Sequence, residues 1–188
     1  MPNVLHPHDR FLARTVLRLF PTSITPNHLT LFRFVTTPFV LVLLHTGHLP
    51  SALFAFLVVA STDALDGSMA RTRDQVTDWG KLWDPVADKV LIASVAALLI
   101  LDHFPASLAI LIFLTEGAFL LGGYLRKRKG IIVSANGWGK AKMLFQVLGT
   151  ALFIVSLMTG SAGIEYAAYA AFIVSTLFAL VSMYHLGL

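Results

Sequence analysis

Six apolar runs divide this chain, at about residues 29–48, 51–71, 80–101, 104–125, 140–160 and 164–187. Each is close to the roughly 20 mostly apolar residues that a helix needs to cross a bilayer. The turns between them alternate in character: those near 46–51, 102–105 and 160–165 carry no Lys or Arg, and the other connections are rich in both. Ahead of the first run, residues 8–20 set Phe11, Leu12, Thr15, Val16, Leu19 and Phe20 against Arg10, Arg14 and Arg18. A helix with an apolar face and a basic face suits the headgroup layer. The pattern predicts an all-α, integral membrane bundle of six transmembrane helices with an N-terminal amphipathic interfacial helix. Residues 1–28 form the interfacial segment in this reading, and 29–188 a single membrane domain.

Composition agrees. The 188 residues are 56% hydrophobic and 13% charged, with a mean hydropathy of +0.76, whereas soluble domains are about 25% charged. The formal net charge is +4. In a membrane protein that excess bears on orientation rather than on nucleic acid, and no nucleic-acid partner is expected. Arg10, Arg14, Arg18 and Arg33 lie at or before the first run. Arg71, Arg73, Lys81 and Lys89 flank the second connection, and Arg126, Lys127, Arg128, Lys129, Lys140 and Lys142 the fourth. The positive-inside rule then makes these connections and both termini cytoplasmic, in a plasma (bacterial-type inner) membrane. Absence of cysteine excludes disulfides and thiolate metal sites. The first residues have no continuous apolar core, so no cleaved signal peptide is expected.

Four of the ten acidic residues fall inside the second and third runs: Asp63, Asp66, Asp84 and Asp88. A carboxylate at membrane depth is costly and normally faces a polar cavity. Spacings of i, i+3 and i, i+4 put each pair on one helix face, and a short turn between the helices would bring the pairs together. Carboxylates converging so closely repel one another unless cations stand among them, and all-oxygen ligands suit Mg²⁺ or Mn²⁺. Gly67 and Ala70 keep the same face free of bulk. Arg71 is placed to meet a phosphate, and Thr77 and Gly80 to meet a polar ligand beside the turn. Two cations roughly 4 Å apart would form a phosphoryl-transfer site, with one carboxylate left to accept a proton. A plainer alternative pairs these aspartates with Arg71, Lys81 and Lys89 as interfacial salt bridges. A cation transporter or channel is the competing class, but the Gly, Ala and Arg positions do not serve ion passage, and all four aspartates lie near one membrane face.

Residues 63–88 read D-A-L-D-G-S-M-A-R-T-R-D-Q-V-T-D-W-G-K-L-W-D-P-V-A-D. This resembles the signature of the CDP-alcohol phosphatidyltransferase family, D-x2-D-G-x2-A-R-x8-G-x3-D-x3-D, at all eight fixed positions. At residue frequencies of about 4–9% each, a chance match is on the order of 10⁻¹⁰ per starting point. Upstream, Asn27, Thr30 and Arg33 are similar to the family's N-x-x-T-x-x-R approach to the first span. The resemblance implies a transferase that moves the phosphatidyl group of CDP-diacylglycerol onto an alcohol and releases CMP, in phospholipid biosynthesis. It implies two divalent cations, Mg²⁺ or Mn²⁺, held by Asp63, Asp66, Asp84 and Asp88, with Asp88 as general base. Asn27, Thr30, Gly67, Arg71, Thr77 and Gly80 would bind CDP-diacylglycerol. A homodimer is expected on the same ground.

The acceptor is marked by a second stretch. Gly139, Lys140, Lys142 and Gln146 resemble the G-K-x-K-T-x2-Q stretch of phosphatidylglycerophosphate synthases, with Met143 in place of the Thr and Thr115-Glu116 where those enzymes carry Arg-Glu. Arg126, Lys140 and Lys142 are candidate contacts for a phosphorylated acceptor such as glycerol 3-phosphate. Inositol phosphate, phosphatidylglycerol and serine are the alternative acceptors.

Overall fold

A computed structural model of the chain describes residues 15, 17, 20, 21, 23–73, 75, 77–128 and 137–186, apart from the side chains of 64, 78, 81, 82, 85, 88, 102, 120, 123, 124, 126–128 and 186. Its described secondary structure is all-α, with six helices in order: α1 Pro26–His45, α2 Leu49–Thr72, α3 Asp78–His103, α4 Ala106–Arg128, α5 Gly137–Thr159 and α6 Ala162–Leu186. Every end lies within three residues of the apolar runs. Most of the expected amphipathic helix over 8–20 lies outside the described residues.

Local chemistry sets where the helices begin and end. Pro26 stands at the first helical position of α1, where its missing N–H costs nothing. The Thr25 N–H donates to His28 Nδ1 at 3.2 Å, so an otherwise unpaired donor near the helix start is satisfied. At the other end Gly47 takes φ 76°, a left-handed backbone that a side chain would oppose. The turn closes with Gly47 N donating to Leu44 O at 3.1 Å and His48 N to Leu43 O at 2.9 Å. These bonds stop α1 three residues before its apolar run ends. At Arg128 the opposite happens: α4 outlasts its apolar run because Arg and Lys are good helix formers.

The protein is an integral membrane protein. Four helical stretches, Pro26–His45, Leu49–Thr72, Gly137–Thr159 and Ala162–His185, are long and apolar enough to cross a membrane; shorter apolar stretches run through Lys89–Leu101 in α3 and Ala106–Phe119 in α4. Large apolar side chains such as Val35, Phe54, Leu114, Leu144, Leu177 and Tyr184 are exposed along these helices, as a lipid solvent allows and water does not. Many hydroxyls within the helices are satisfied locally. Thr37 donates to Arg33 O at 2.7 Å, Thr150 to Gln146 O at 2.8 Å and Thr176 to Phe172 O at 2.9 Å, which removes the cost of an unpaired donor away from water.

The chain divides into two compact units, Met1–Ser94 and Val95–Leu188. In the first, α1 packs along α2 over Val40, Leu44, Ala52, Phe56 and Val59, all buried. A smaller cluster of Leu17, Leu29 and Met69, flanked by Phe20 and Leu65, joins the N-terminal segment to both helices. Arg73 fixes that segment: its guanidinium donates to the carbonyls of Leu17 (3.0 Å), Phe20 (2.8 Å), Pro21 (3.2 Å) and Ile24 (3.2 Å). The chain leading into α1 is thereby held at the C-terminal end of α2. In the second unit α6 packs on α5 and on α4. Phe104 meets Tyr169, Phe153 and Phe172 at ring separations of 4.7, 4.9 and 5.3 Å, within the range of favourable aromatic pairs.

Candidate active site

The polar centre of the first unit begins with one stripe of α1. Pro26, Leu29, Thr30, Arg33, Thr37, Val40 and Leu44 are its buried residues, the spacing of a single inward helix face. Two of them reach the aspartates. Arg33 Nη1 lies 3.0 Å from Asp63 Oδ1, and Arg33 Nη2 pairs with Asp66 Oδ2 and stands 4.0 Å from Asp84 Oδ1. Thr30 donates its hydroxyl to Asp84 Oδ1. Side chains from α1, α2 and α3 therefore meet around one guanidinium.

Burial grades across this cluster. The side chains of Arg33 and Asp66 are 0% and 3% exposed, against 48% for Asp63 and 30% for Asp84. Arg33 and Asp66 form the floor, and a ligand can reach Asp63 and Asp84. Asp88 lies one turn beyond Asp84 on α3, with its side chain outside the described residues.

Beside the aspartates a second set of bonds joins the start of α1 to the start of α3. Thr77 donates to Asn27 Oδ1 at 2.8 Å, and the backbone N–H of Gly80 donates to Thr77 Oγ1 at 2.9 Å. Gly80 permits this closeness. A Cβ there would stand 3.1 Å from Thr77 Oγ1 and 3.2 Å from both Asn27 Oδ1 and Asp84 Oδ2. Gly67 plays a similar part on α2, where an added Cβ would meet Arg71 Nη1 at 3.3 Å. Of the residues picked out in the sequence, Asn27, Thr30, Asp63, Asp66, Thr77, Gly80 and Asp84 are brought together, and Arg71 lies over Gly67. Arg33 is the addition. In the sequence it counts only toward membrane orientation and the N-x-x-T-x-x-R approach, and the salt-bridge alternative does not include it. The signal was its place on the same helical stripe as Thr30, Thr37 and Val40.

The cluster fits a hard divalent cation in donor type, since it offers carboxylate oxygens. It fits in charge as well, with three aspartates against one guanidinium. As they stand, no three described acidic or His side chains are close enough to hold an ion between them.

The second unit holds a separate polar group. Lys142 Nζ contacts Glu116 Oε2 at 2.6 Å, and Gln146 Nε2 donates to Glu116 Oε1 at 2.9 Å. The Lys142 ammonium also lies 4.4 Å from the centre of the Phe119 ring, a favourable cation–π separation. Its backbone carbonyl accepts from Ser175 Oγ at 3.1 Å. Lys142 is thus buried and paired, whereas Lys140 is exposed and the Arg126 side chain lies outside the described residues.

Residues 23–182 match the family pattern of the CDP-alcohol phosphatidyltransferases. The chain belongs to that family. The match takes in every residue of both polar groups, and the membership sets aside the cation-pathway alternative. The chain is 35% identical over 175 residues to the CDP-diacylglycerol--glycerol-3-phosphate 3-phosphatidyltransferase of Salmonella choleraesuis, covering 84% of this chain and 90% of that one. The protein of the same name from Escherichia coli K12 is 35% identical over 174 residues, with the same coverage. That from Mycoplasma pneumoniae is 39% identical over 110 residues, or 55% of this chain. The chain spans about half (48%) of the length of the Mycoplasma relative.

Proposed function

We propose that this phosphatidyltransferase moves the phosphatidyl group of CDP-diacylglycerol to the 1-hydroxyl of glycerol 3-phosphate, giving phosphatidylglycerophosphate and CMP. The convergence of Asp63, Asp66 and Asp84 on Arg33, within helices that belong in lipid, carries the reading. The acceptor follows from relatives named for glycerol 3-phosphate that align over 84% of the chain.

In this reading the acceptor oxygen bonds to the phosphorus nearest the diacylglycerol. The pyrophosphate P–O bond breaks, and CMP departs with the bridging oxygen and its electron pair. Asp88 takes the hydroxyl proton. Asp63, Asp66, Asp84 and Asp88 would hold two divalent ions, Mg²⁺ or Mn²⁺, which when bound neutralise charge on the pyrophosphate oxygens. Asn27, Thr30, Thr77 and Gly80 would line the nucleotide side, and Gly67 with Arg71 the phosphate side. The hydrogen bonds already linking Asn27, Thr77 and Gly80 support a preformed wall, so that little ordering is needed when substrate arrives. For the acceptor phosphate, Arg126, Lys140 and Lys142 would supply charge, and Lys142 would share its ammonium with Glu116.

The same reading assigns six membrane spans to residues 29–188 and an interfacial role to 1–28. Uneven placement of Lys and Arg supports a site and both termini on the cytoplasmic side, and family likeness supports a homodimer. The test is CMP release by purified protein given CDP-diacylglycerol, Mg²⁺ and separate acceptors: glycerol 3-phosphate, inositol 1-phosphate, serine and phosphatidylglycerol. Release with glycerol 3-phosphate alone upholds the proposal. Release only with another acceptor keeps the chemistry and replaces the substrate.

A further inference from the structure

Arg33 presents a problem that the transfer chemistry does not answer. Its side chain is fully buried, and it pairs with two of the aspartates assigned above to the divalent ions and approaches a third. Guanidinium cannot shed its proton at any ordinary pH, so its charge is permanent. An incoming cation meets a like charge already in place. It also meets carboxylate oxygens, Asp63 Oδ1 and Asp66 Oδ2, that already accept from that charge.

We propose that Arg33 is a resident counter-ion of the aspartate cluster, a positioning residue with which divalent ions compete and which thereby sets the site's affinity for them. This rests on the reading of the aspartates as ion ligands. Without ions, Asp63, Asp66 and Asp84 need a cation to stay together in an apolar setting, and Arg33 provides it. Its backbone is firmly placed, on the inward stripe of α1, with Thr37 donating to its carbonyl at 2.7 Å. Planar geometry lets one side chain serve α2 through both Asp63 and Asp66 while facing Asp84 of α3. With ions, the same charge weakens their hold. Substrate pyrophosphate brings negative charge that offsets it, so ion binding becomes tied to the arrival of substrate.

The two effects have opposite signs on removing Arg33, and a merely structural arginine would not show that. Wild type, Arg33→Met, Arg33→Lys and Asp84→Asn are purified in detergent with Mn²⁺ and then stripped by chelator. Mn²⁺ binding is followed by the loss of the free-ion electron paramagnetic resonance signal, and thermal unfolding is recorded in chelator and in saturating Mn²⁺. Arg33→Met is expected to bind Mn²⁺ about tenfold tighter or more, the lower end of what one charge at this range exerts on another. It should unfold below wild type in chelator and recover in Mn²⁺, with Arg33→Lys between the two. Unchanged or weaker Mn²⁺ binding by Arg33→Met overturns the proposal, because the guanidinium would then organise the ligands rather than compete for them. If Arg33→Met does not fold under either condition, Arg33→Gln, which also removes the charge, decides by the same criterion. Failure of wild type to bind Mn²⁺ more tightly than Asp84→Asn overturns the ion-site reading itself, a different result from a normal wild type and an unshifted Arg33 variant.

Discussion

Each of the two units places an ion pair among apolar helices, and the two balance it differently. In the second unit one carboxylate, Glu116, is met by one lysine and one amide, and the ammonium of Lys142 rests against Phe119. Donors and acceptors match, and the charge sums to zero. In the first unit Asp63, Asp66 and Asp84 share one guanidinium, and Asp88 follows a turn later. Negative charge is in excess there, and Asp63 and Asp84 are partly exposed. Buried pairs that balance are ties between helices, often replaceable by apolar contacts. A cluster left short of positive charge in a lipid-embedded protein makes sense only if something cationic arrives. The difference separates a balanced pair from a cluster short of positive charge more clearly than burial does, since both are partly buried.

The largest effect expected is at the charge-rich cluster. Asp88→Asn should lower CMP release by on the order of 10²–10⁴-fold, the usual worth of a positioned base, while leaving the unfolding temperature close to wild type. A similar loss in Glu116→Gln would erase the contrast between the two units.

Next comes the balanced pair, tested by stability. Glu116→Leu or Lys142→Leu alone leaves a buried charge without its partner and should destabilise by about 2–3 kcal/mol, as for a hydrogen bond to a charged group. The double change should recover most of that loss, read as unfolding temperature in detergent. No apolar replacement of Asp63, Asp66 and Asp84 should restore activity, however stable the product.

Gly80→Ala tests the proposed substrate wall. Its Cβ would fall 3.1–3.2 Å from Thr77, Asn27 and Asp84, so at least one must move, at a cost of about 1–3 kcal/mol. The expected sign is a higher KM for CDP-diacylglycerol with the Mn²⁺ affinity of the aspartates nearly intact. Smallest is Lys140→Gln. An exposed lysine on a phosphate contributes up to about 1 kcal/mol, which corresponds to a rise of up to about fivefold in KM for glycerol 3-phosphate and none for CDP-diacylglycerol.

Much of this was legible in the sequence because membrane helices announce themselves by apolar length. Their ends were less so, since caps and turns decide them: Thr25-Pro26 starts α1 early, and Gly47 stops it early. The aspartates stood out because a carboxylate in an apolar run needs a reason. Basic residues gave a weaker signal, since the same Lys or Arg can mark orientation, bind substrate or balance a buried acid. Arg33 was counted toward orientation and lies on the floor of the cluster. Lys142 was grouped with a cationic stretch and is paired with Glu116. Which of those roles a cation takes depends on what the fold brings opposite it, and that is a tertiary fact.

The most direct test is Mg²⁺-dependent CMP release from CDP-diacylglycerol and glycerol 3-phosphate, measured on wild type and Asp84→Asn. Release by wild type is expected to stop in chelator and to be lost in Asp84→Asn. Release that persists in Asp84→Asn, or needs no divalent ion, would contradict the placement of the reaction at the aspartate cluster.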